Sequence, residues 1–367
     1  MPNARVIAFY LPQFHPIPEN DRWWGKGFTE WTNVAKARPL FRGHYQPHIP
    51  ADLGFYDLRL PEVREAQAAM ARNYGIEAFC YYHYWFGNGR QLLERPFNEV
   101  LRSGEPRFPF CLCWANKTWS GIWKGASDKI LIEQTYPGME DHARHFRFLL
   151  QAFADERYVT VDGKPLFIVY HPEELPDALR VTDFWRESAL KAGLKGLYLL
   201  GVLHLSGKDL RPLGYDGAVL QRLAPFYRNV YGEPANGAWG PVKKAVYGVP
   251  RQLTVYSYKD LISFFVPRKT PAFPGYPCVI PNWDNTPRSG ARGLVFHEST
   301  PELFRLNVRD ALDFVRDRAP EHRLVFLKSW NEWAEGNHME PDLRYGRGYL
   351  EGLWKELSAD ERTGDVS

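Results

Sequence analysis

Residues 323–342, RLVFLKSWNEWAEGNHMEPD, open as a continuous apolar run and leave it through a polar, Gly-containing segment that carries two glutamates. Such a run, bounded by turn residues, reads as a strand buried on both faces. Working back along the chain, seven further runs have the same character: RVIAFYL at 5–11, EAFCYY at 77–82, FPFCLCW at 108–114, PLFIVY at 165–170, GLYLLGVL at 196–203, GAVLQ at 217–221 and CVIP at 278–281. Amphipathic helical stretches separate them, the clearest at 61–75, 139–156 and 301–318. In the last, Leu303, Leu306, Ala311, Phe314 and Val315 are the expected apolar stripe. Eight strand–helix units predict an α/β fold, a single (β/α)₈ TIM barrel. The fifth and sixth helices are weakly signalled, so periodicity alone leaves an open doubly wound sheet as the alternative.

The 367 residues fit one such domain, because these barrels run from about 200 to over 400 residues. The expected domain is 1–359, with 360–367 a flexible tail. Two connections are long, 12–56 after the first strand and 222–257 after the sixth. Loops after barrel strands gather at the catalytic face, and long ones there are usually functional.

Composition excludes several classes of function. A formal charge of +3, with Lys and Arg scattered, offers no basic stripe for nucleic acid. Cys80, Cys111, Cys113 and Cys278 lie in apolar strand-like runs, where a free thiol acts as a small hydrophobe, and no disulfide or zinc spacing is visible. No HxH or HExxH pattern occurs, so neither metal nor cofactor is expected. The N-terminus has no leader-like apolar stretch and no run approaches a membrane span, which makes the cytoplasm the expected location. The aromatic share is 15%, with 13 Trp, several of them in polar stretches such as NDRWWGKGFTEWTN at 20–33. Rings there suit a binding surface better than a core. Oligomeric state is not legible.

Glu332 and Glu335 stand three apart where the chain leaves the eighth strand, the catalytic end of a barrel. They are the candidate catalytic pair. Flanking Trp330 and Trp333 supply an apolar wall that can raise one carboxyl pKa while its partner stays ionised, the split that glycosidic cleavage needs. The spacing corresponds to roughly 5 Å in a helical turn or about 10 Å when extended, so it does not choose between retaining and inverting geometry. The alternative is a helix start whose early glutamates complement the dipole. Glu30 in GFTEW and Asp284 in NWDN also lie at the presumed catalytic face, as sugar-hydroxyl ligands or as turn-stabilising carboxylates. His15 and His83 follow or end the first two strands and could hydrogen-bond substrate.

These motifs resemble the WbsX-like proteins of bacterial surface-polysaccharide gene sets, related to glycoside hydrolase family 99. The likeness runs through AFYLPQFHPIPEN at 8–20, WWGKGFTEWTNV at 23–34, GHYQPHIPADLGFYDLR at 43–59, FCYYHYWF at 79–86, CLCWAN at 111–116 and SWNEWAEGNHMEPD at 329–342. It implies a retaining reaction on manno- or rhamno-configured sugars. Glu332 would deprotonate the sugar 2-hydroxyl, whose oxygen attacks the anomeric carbon, and Glu335 would act as general acid and then base. The carbohydrate-contacting residues expected at the presumed catalytic face are Tyr10, Gln13, His15, Trp24, Glu30 and Trp31 from the first strand end and its loop; Tyr82, His83, Trp85, Trp114 and Asn116 from the second and third strand ends; and Trp283, Asp284, Trp330 and Asn331 from the last two strand ends. Two departures concern specificity: Lys117 stands where many relatives carry an acid, and GAVLQRLAP at 217–225 lacks an acidic ending.

Two other readings remain. A glycosyltransferase or transglycosidase of O-antigen or surface-polysaccharide synthesis is one, although no two Asp residues are two apart, as a DxD motif requires, and GNGRQL at 87–92 is no dinucleotide loop. The other is a non-catalytic carbohydrate-binding barrel, which the two retained glutamates argue against.

Overall fold

The computed structural model describes residues 4–121, 126–204, 207–223 and 238–359, with backbone alone at 126–128. The expected tail at 360–367 and much of the long connection after the sixth strand lie outside the described residues.

Eight parallel strands form the central sheet: β1 (Arg5–Tyr10), β2 (Ile76–Trp85), β3 (Phe110–Trp114), β4 (Lys164–Val169), β5 (Tyr198–Leu203), β6 (Gly217–Leu220), β7 (Gly275–Val279) and β8 (Leu324–Leu327). β1 pairs with β8 in the register Arg5↔Leu324 and also with β2 in the register Tyr10↔Tyr81, so the sheet closes on itself. The fold is a (β/α)₈ barrel, and the open-sheet alternative is excluded.

Alternation along the strands divides the aromatic residues between two layers. Phe9 stacks on Tyr82 with ring centroids 5.5 Å apart and meets Phe326 inside the barrel. Its neighbour Tyr10 turns the other way, packs on Tyr81 at 4.5 Å, and donates to Gln67 of the helix Pro61–Asn73.

The helix Pro301–Val315 starts with Pro at its first position and with the Thr300 hydroxyl accepting from Leu303 N–H at 3.3 Å. Its buried face is Phe304, Asn307, Val308, Ala311 and Val315, while Leu306 is exposed. The expected stripe was therefore rotated by about one residue. Asn307 explains this, because its side-chain oxygen accepts from Ile280 N–H at 3.1 Å and turns that face toward the end of β7. Between β5 and β6 the helix is replaced by the 3₁₀ turn Arg211–Leu213, and the sixth is the short helix Tyr258–Phe265. These are the two positions where periodicity was weak.

The long connections are structured where described. The first carries the helices Pro18–Trp24 and Glu30–Lys36. After β6, the strand Thr254–Ser257 pairs in parallel with Leu294–His297, and Val255 and Val295 join Phe41, Trp239 and Leu253 in a small core of their own. Among the described residues no helix is long and apolar enough to cross a membrane.

Candidate active site

Beyond β8 the chain makes a tight hairpin. Asn331–Glu332 pairs antiparallel with Asn337–His338 around the 3₁₀ turn Trp333–Glu335. Both glutamates thus sit on a hairpin tip, not at a helix start. Ser329 fixes the entry: its hydroxyl donates to the Asn337 carbonyl at 2.8 Å and accepts from Glu332 N–H at 2.9 Å. Asn331 clips the hairpin to β1, accepting from Leu11 N–H at 2.7 Å and donating to the Leu11 carbonyl at 3.1 Å.

Gly336 completes the turn at φ 59°, and a Cβ there would stand 2.9 Å from the Asp284 Cβ and 3.1 Å from its backbone nitrogen. That nitrogen donates to the Glu335 carbonyl at 2.6 Å, so the close approach is part of how the turn is held. Gly336→Ala is expected to cost about 1–3 kcal/mol from left-handed strain, with the contact adding to it. Urea unfolding of the purified variant measures this; an unchanged midpoint would show that the turn does not depend on this contact.

Glu332 and Glu335 open into a cleft of 410 Å³, lined also by Gln13, Trp24, Tyr82, Tyr84, Tyr170, Trp283, His171, His204 and Lys117. Lys328 Nζ donates to both oxygens of Glu332, at 2.7 and 2.8 Å, and to the Tyr82 hydroxyl at 3.0 Å. Arg288 bridges Glu30 and Glu335 through one guanidinium. Two cations thus serve three carboxyl groups in a buried setting, which favours retaining one proton on the set.

That proton belongs on Glu335. Burial is the largest influence on it and pushes its pKa up, Arg288 opposes, and the charge and hydrogen bond of Glu332 push further, leaving the carboxyl well above the usual range. Burial also pushes Glu332 up, but Lys328, the hydrogen bond from Glu335 and Arg288 outweigh it, and the carboxyl is held well below that range. The two shifts are thus opposite in direction, Glu332 toward the anion and Glu335 toward the neutral acid. Glu335, with 17% of its side chain exposed, is the more solvent-facing member. Glu30 is fully buried and does not line the cleft; it holds Arg288 in place.

The expected sugar contacts fall into three groups. Gln13, Trp24, Tyr82 and Trp283 line the cleft. Trp31, Asn116, Asp284 and Asn331 support it from behind. Trp31 donates to the Tyr56 carbonyl at 2.7 Å and packs on Trp333 at 5.5 Å. Asn116 ties the ends of β3 and β4 through the backbone of His171, at 2.8 and 2.9 Å. Asp284 accepts from His44 and Gln46 at 2.7 Å each and from the Thr286 hydroxyl at 2.6 Å.

The third group is a correction. Tyr10, His83, Trp85, Trp114 and Trp330 pack into the layer behind the barrel wall, away from the cleft. His83 meets His145 at 2.9 Å, Trp85 donates to Asp141 at 3.0 Å, and Trp114 packs on Trp185 at 6.1 Å. Trp330 is fully buried, 5.2 Å from Phe79. Strand alternation is the reason: in 81–85 only Tyr82 and Tyr84 face the cleft, and choosing both parities guaranteed errors. His15 is buried in the first loop, where desolvation brings its pKa down to about 4 against the charge of Asp57.

The sequence reading missed Lys328, Arg288, Tyr84, Tyr170, His171, His204 and Glu340. A lysine inside the apolar run VFLKSW was a usable signal, because a buried ammonium needs a partner. Glu340 is a buried carboxyl that accepts from Trp333 and Gln67 at 2.6 Å each and from Tyr56 at 2.8 Å, with burial raising its pKa to about 7.

Residues 6–353 match the family model described as glycosyltransferase WbsX. The chain belongs to the WbsX family. The WxcX proteins of two strains of Xanthomonas campestris pv. campestris, B100 and ATCC 33913, are each 38% identical over 356 residues, 97% of this chain and 50% of the relative. The chain therefore spans about half the length of the curated relatives it matches. Among solved structures, the family 99 endo-alpha-mannosidase of Bacteroides thetaiotaomicron superposes with a TM-score of 0.58 at 13% identity, covering 99% of each chain. A glycoside hydrolase-like protein superposes with a TM-score of 0.58 at 17% identity, covering 97% of this chain and 94% of that one. At such identities the likeness establishes a shared barrel fold and leaves function to the site.

Proposed function

We propose that this WbsX-family chain is a retaining glycoside hydrolase acting on a bacterial polysaccharide or oligosaccharide. The observation that carries the reading is two carboxyl groups in one cleft with unlike surroundings: Lys328 donates to both oxygens of Glu332 and holds its pKa down, while burial and the charge of Glu332 push Glu335 up. Glycosidic cleavage needs a proton donor at the departing oxygen and an acceptor nearby. Glu335 supplies the proton and, once ionised, activates the incoming water. Glu332 accepts the sugar 2-hydroxyl proton as that oxygen attacks the anomeric carbon, giving a 1,2-anhydro sugar. The family 99 likeness of the barrel supports this assignment, and the aromatic walls Tyr82, Tyr84, Tyr170 and Trp283 suit sugar faces.

Lys117 lines the same cleft, and Gln221, where the acidic ending is absent, donates to the Tyr170 hydroxyl at 3.1 Å. Both departures therefore bear on which sugar is accepted. The reading that the family's description favours is transfer, in which a sugar hydroxyl replaces water in the second step of the same chemistry.

Incubation with mannose-, rhamnose- and fucose-containing glycans, with the first-formed anomer followed by NMR, tests the proposal. Retention at the cleaved centre is expected, together with no measurable calorimetric binding of nucleotide sugars. An inverted first product would reject the retaining route. Micromolar nucleotide-sugar binding without glycan cleavage would transfer the assignment to a nucleotide-sugar transferase.

A further inference from the structure

Two motif stretches that the proposed reaction does not use, GHYQPH at 43–48 and GNHMEPD at 336–342, meet at a second cavity of 280 Å³ that adjoins Gly336. We propose that His48, His338 and Asp342, which line this cavity, are the ligands of a divalent transition-metal ion of the zinc class.

All three residues are buried, and one ligand atom from each lies within 4.8 Å of the others. Among the described residues they are the group of His, Cys and acidic side chains close enough to share an ion. His48 Nδ1 is 2.9 Å from His338 Nε2. Two imidazole nitrogens bound tetrahedrally to zinc at ~2.0–2.1 Å stand about 3.3 Å apart, so a few tenths of an ångström of spreading admits the ion.

The surroundings orient the ligands as a metal requires. His338 Nδ1 donates to the Glu340 carbonyl at 2.9 Å, which leaves the Nε2 lone pair facing His48. The hydrogen between the two rings then sits on His48 Nδ1. An entering cation takes its place, and that proton moves to His48 Nε2 with no net release. Asp342 is fixed by the backbone N–H groups of Arg344 and Tyr345, at 2.9 and 2.7 Å.

Charge in the cavity is mixed. The Asp284 carboxylate lines it, as does Arg344, whose guanidinium stacks over the Tyr45 and Tyr345 rings at 4.6 and 5.1 Å. Two imidazoles and one carboxylate favour zinc, cobalt or nickel over magnesium or calcium, and three protein ligands leave a position open to the cavity. His338 also stacks on Trp333 at 3.7 Å and pairs with Asn331 across the catalytic hairpin. An ion here would brace the turn that carries Glu332 and Glu335.

The test uses the full chain without an affinity tag, stripped with a chelator and titrated with Co²⁺ and Zn²⁺. Expected are one ion per chain at micromolar affinity, a visible Co²⁺ absorption typical of nitrogen and oxygen ligands, and a raised melting temperature. His48→Gln and Asp342→Asn, checked for folding by circular dichroism, should each weaken binding roughly 10–100-fold or more. Crystals grown with Zn²⁺ locate the ion by anomalous scattering without depending on either variant. No uptake, a thiolate charge-transfer band, binding by both folded variants as tight as by the unsubstituted chain, or an anomalous peak elsewhere would each overturn the site. Metal content and spectrum are read without any glycan, so failure here and failure of the hydrolase assignment are separate results.

Discussion

Glu332→Gln is expected to depress cleavage of a natural glycan and of an activated aryl glycoside alike, each by roughly 10²–10⁴-fold. If the carboxylate makes the sugar 2-oxygen a nucleophile, that need remains whatever group departs. Glu335→Gln should behave differently. A good leaving group requires little protonation, so this variant should lose much less activity on the aryl glycoside than on the glycan. Comparing kcat/KM for both variants on both substrates, after confirming that each folds, separates the roles. Equal losses in all four cases would contradict the division of labour, and undiminished cleavage of a 2-deoxy substrate would reject the anhydro-sugar route. A pH dependence accompanies this. Because the Glu335 pKa is raised, its proton persists above the ordinary carboxylate range and the donor is lost as pH rises through the folded value, so the basic limb of the profile should be absent in Glu335→Gln.

The second large effect concerns Lys328. Lys328→Met leaves the buried Glu332 anion without its ammonium and is expected to cost about 3–5 kcal/mol in chemical denaturation near neutral pH. The double variant Lys328→Met/Glu332→Gln should recover most of that loss, since the uncompensated charge has gone. The pH window follows from the two shifts. Glu332 is depressed in the fold, so its contribution is present above its unfolded pKa of about 4.3 and is lost as pH falls through the lower folded value. Lys328 is raised, so its contribution is present below about 10.4 and is lost as pH rises through the higher folded value. The penalty should thus be greatest between these limits and shrink in acid. A double variant no more stable than Lys328→Met would show that the lysine acts through packing alone.

The barrel was legible because each strand is a short apolar run between turn residues, and all eight runs became barrel strands. The exceptions were places where tertiary contacts overrode pattern. Asn307 turned its helix so that Leu306 faces solvent, and a single 3₁₀ turn, Arg211–Leu213, replaced the fifth helix. At the site, Glu332 and Glu335 were visible because two acids after an apolar strand stand out. Arg288 was not, since its partners Glu30 and Glu335 lie 258 and 47 residues away. The candidate metal ligands escaped for the same reason: His48 and His338 are 290 residues apart, and no local spacing connects them. The aromatic candidates erred for a different reason, because an alternating strand presents half of its rings to each side and composition does not record which.

The seam between β1 and β8 has a consequence for synthesis. Register partners Arg5 and Leu324 stand at nearly opposite ends of the barrel sequence, so β1 has only β2 beside it until residue 324 has been made. Until then the sheet has two unpaired edges, of the kind that invite pairing between chains. The strand that removes both edges is followed directly by Lys328 and Glu332, which find each other locally, four residues apart. A nascent chain can therefore form this buried ion pair in the same event that removes its open sheet edges.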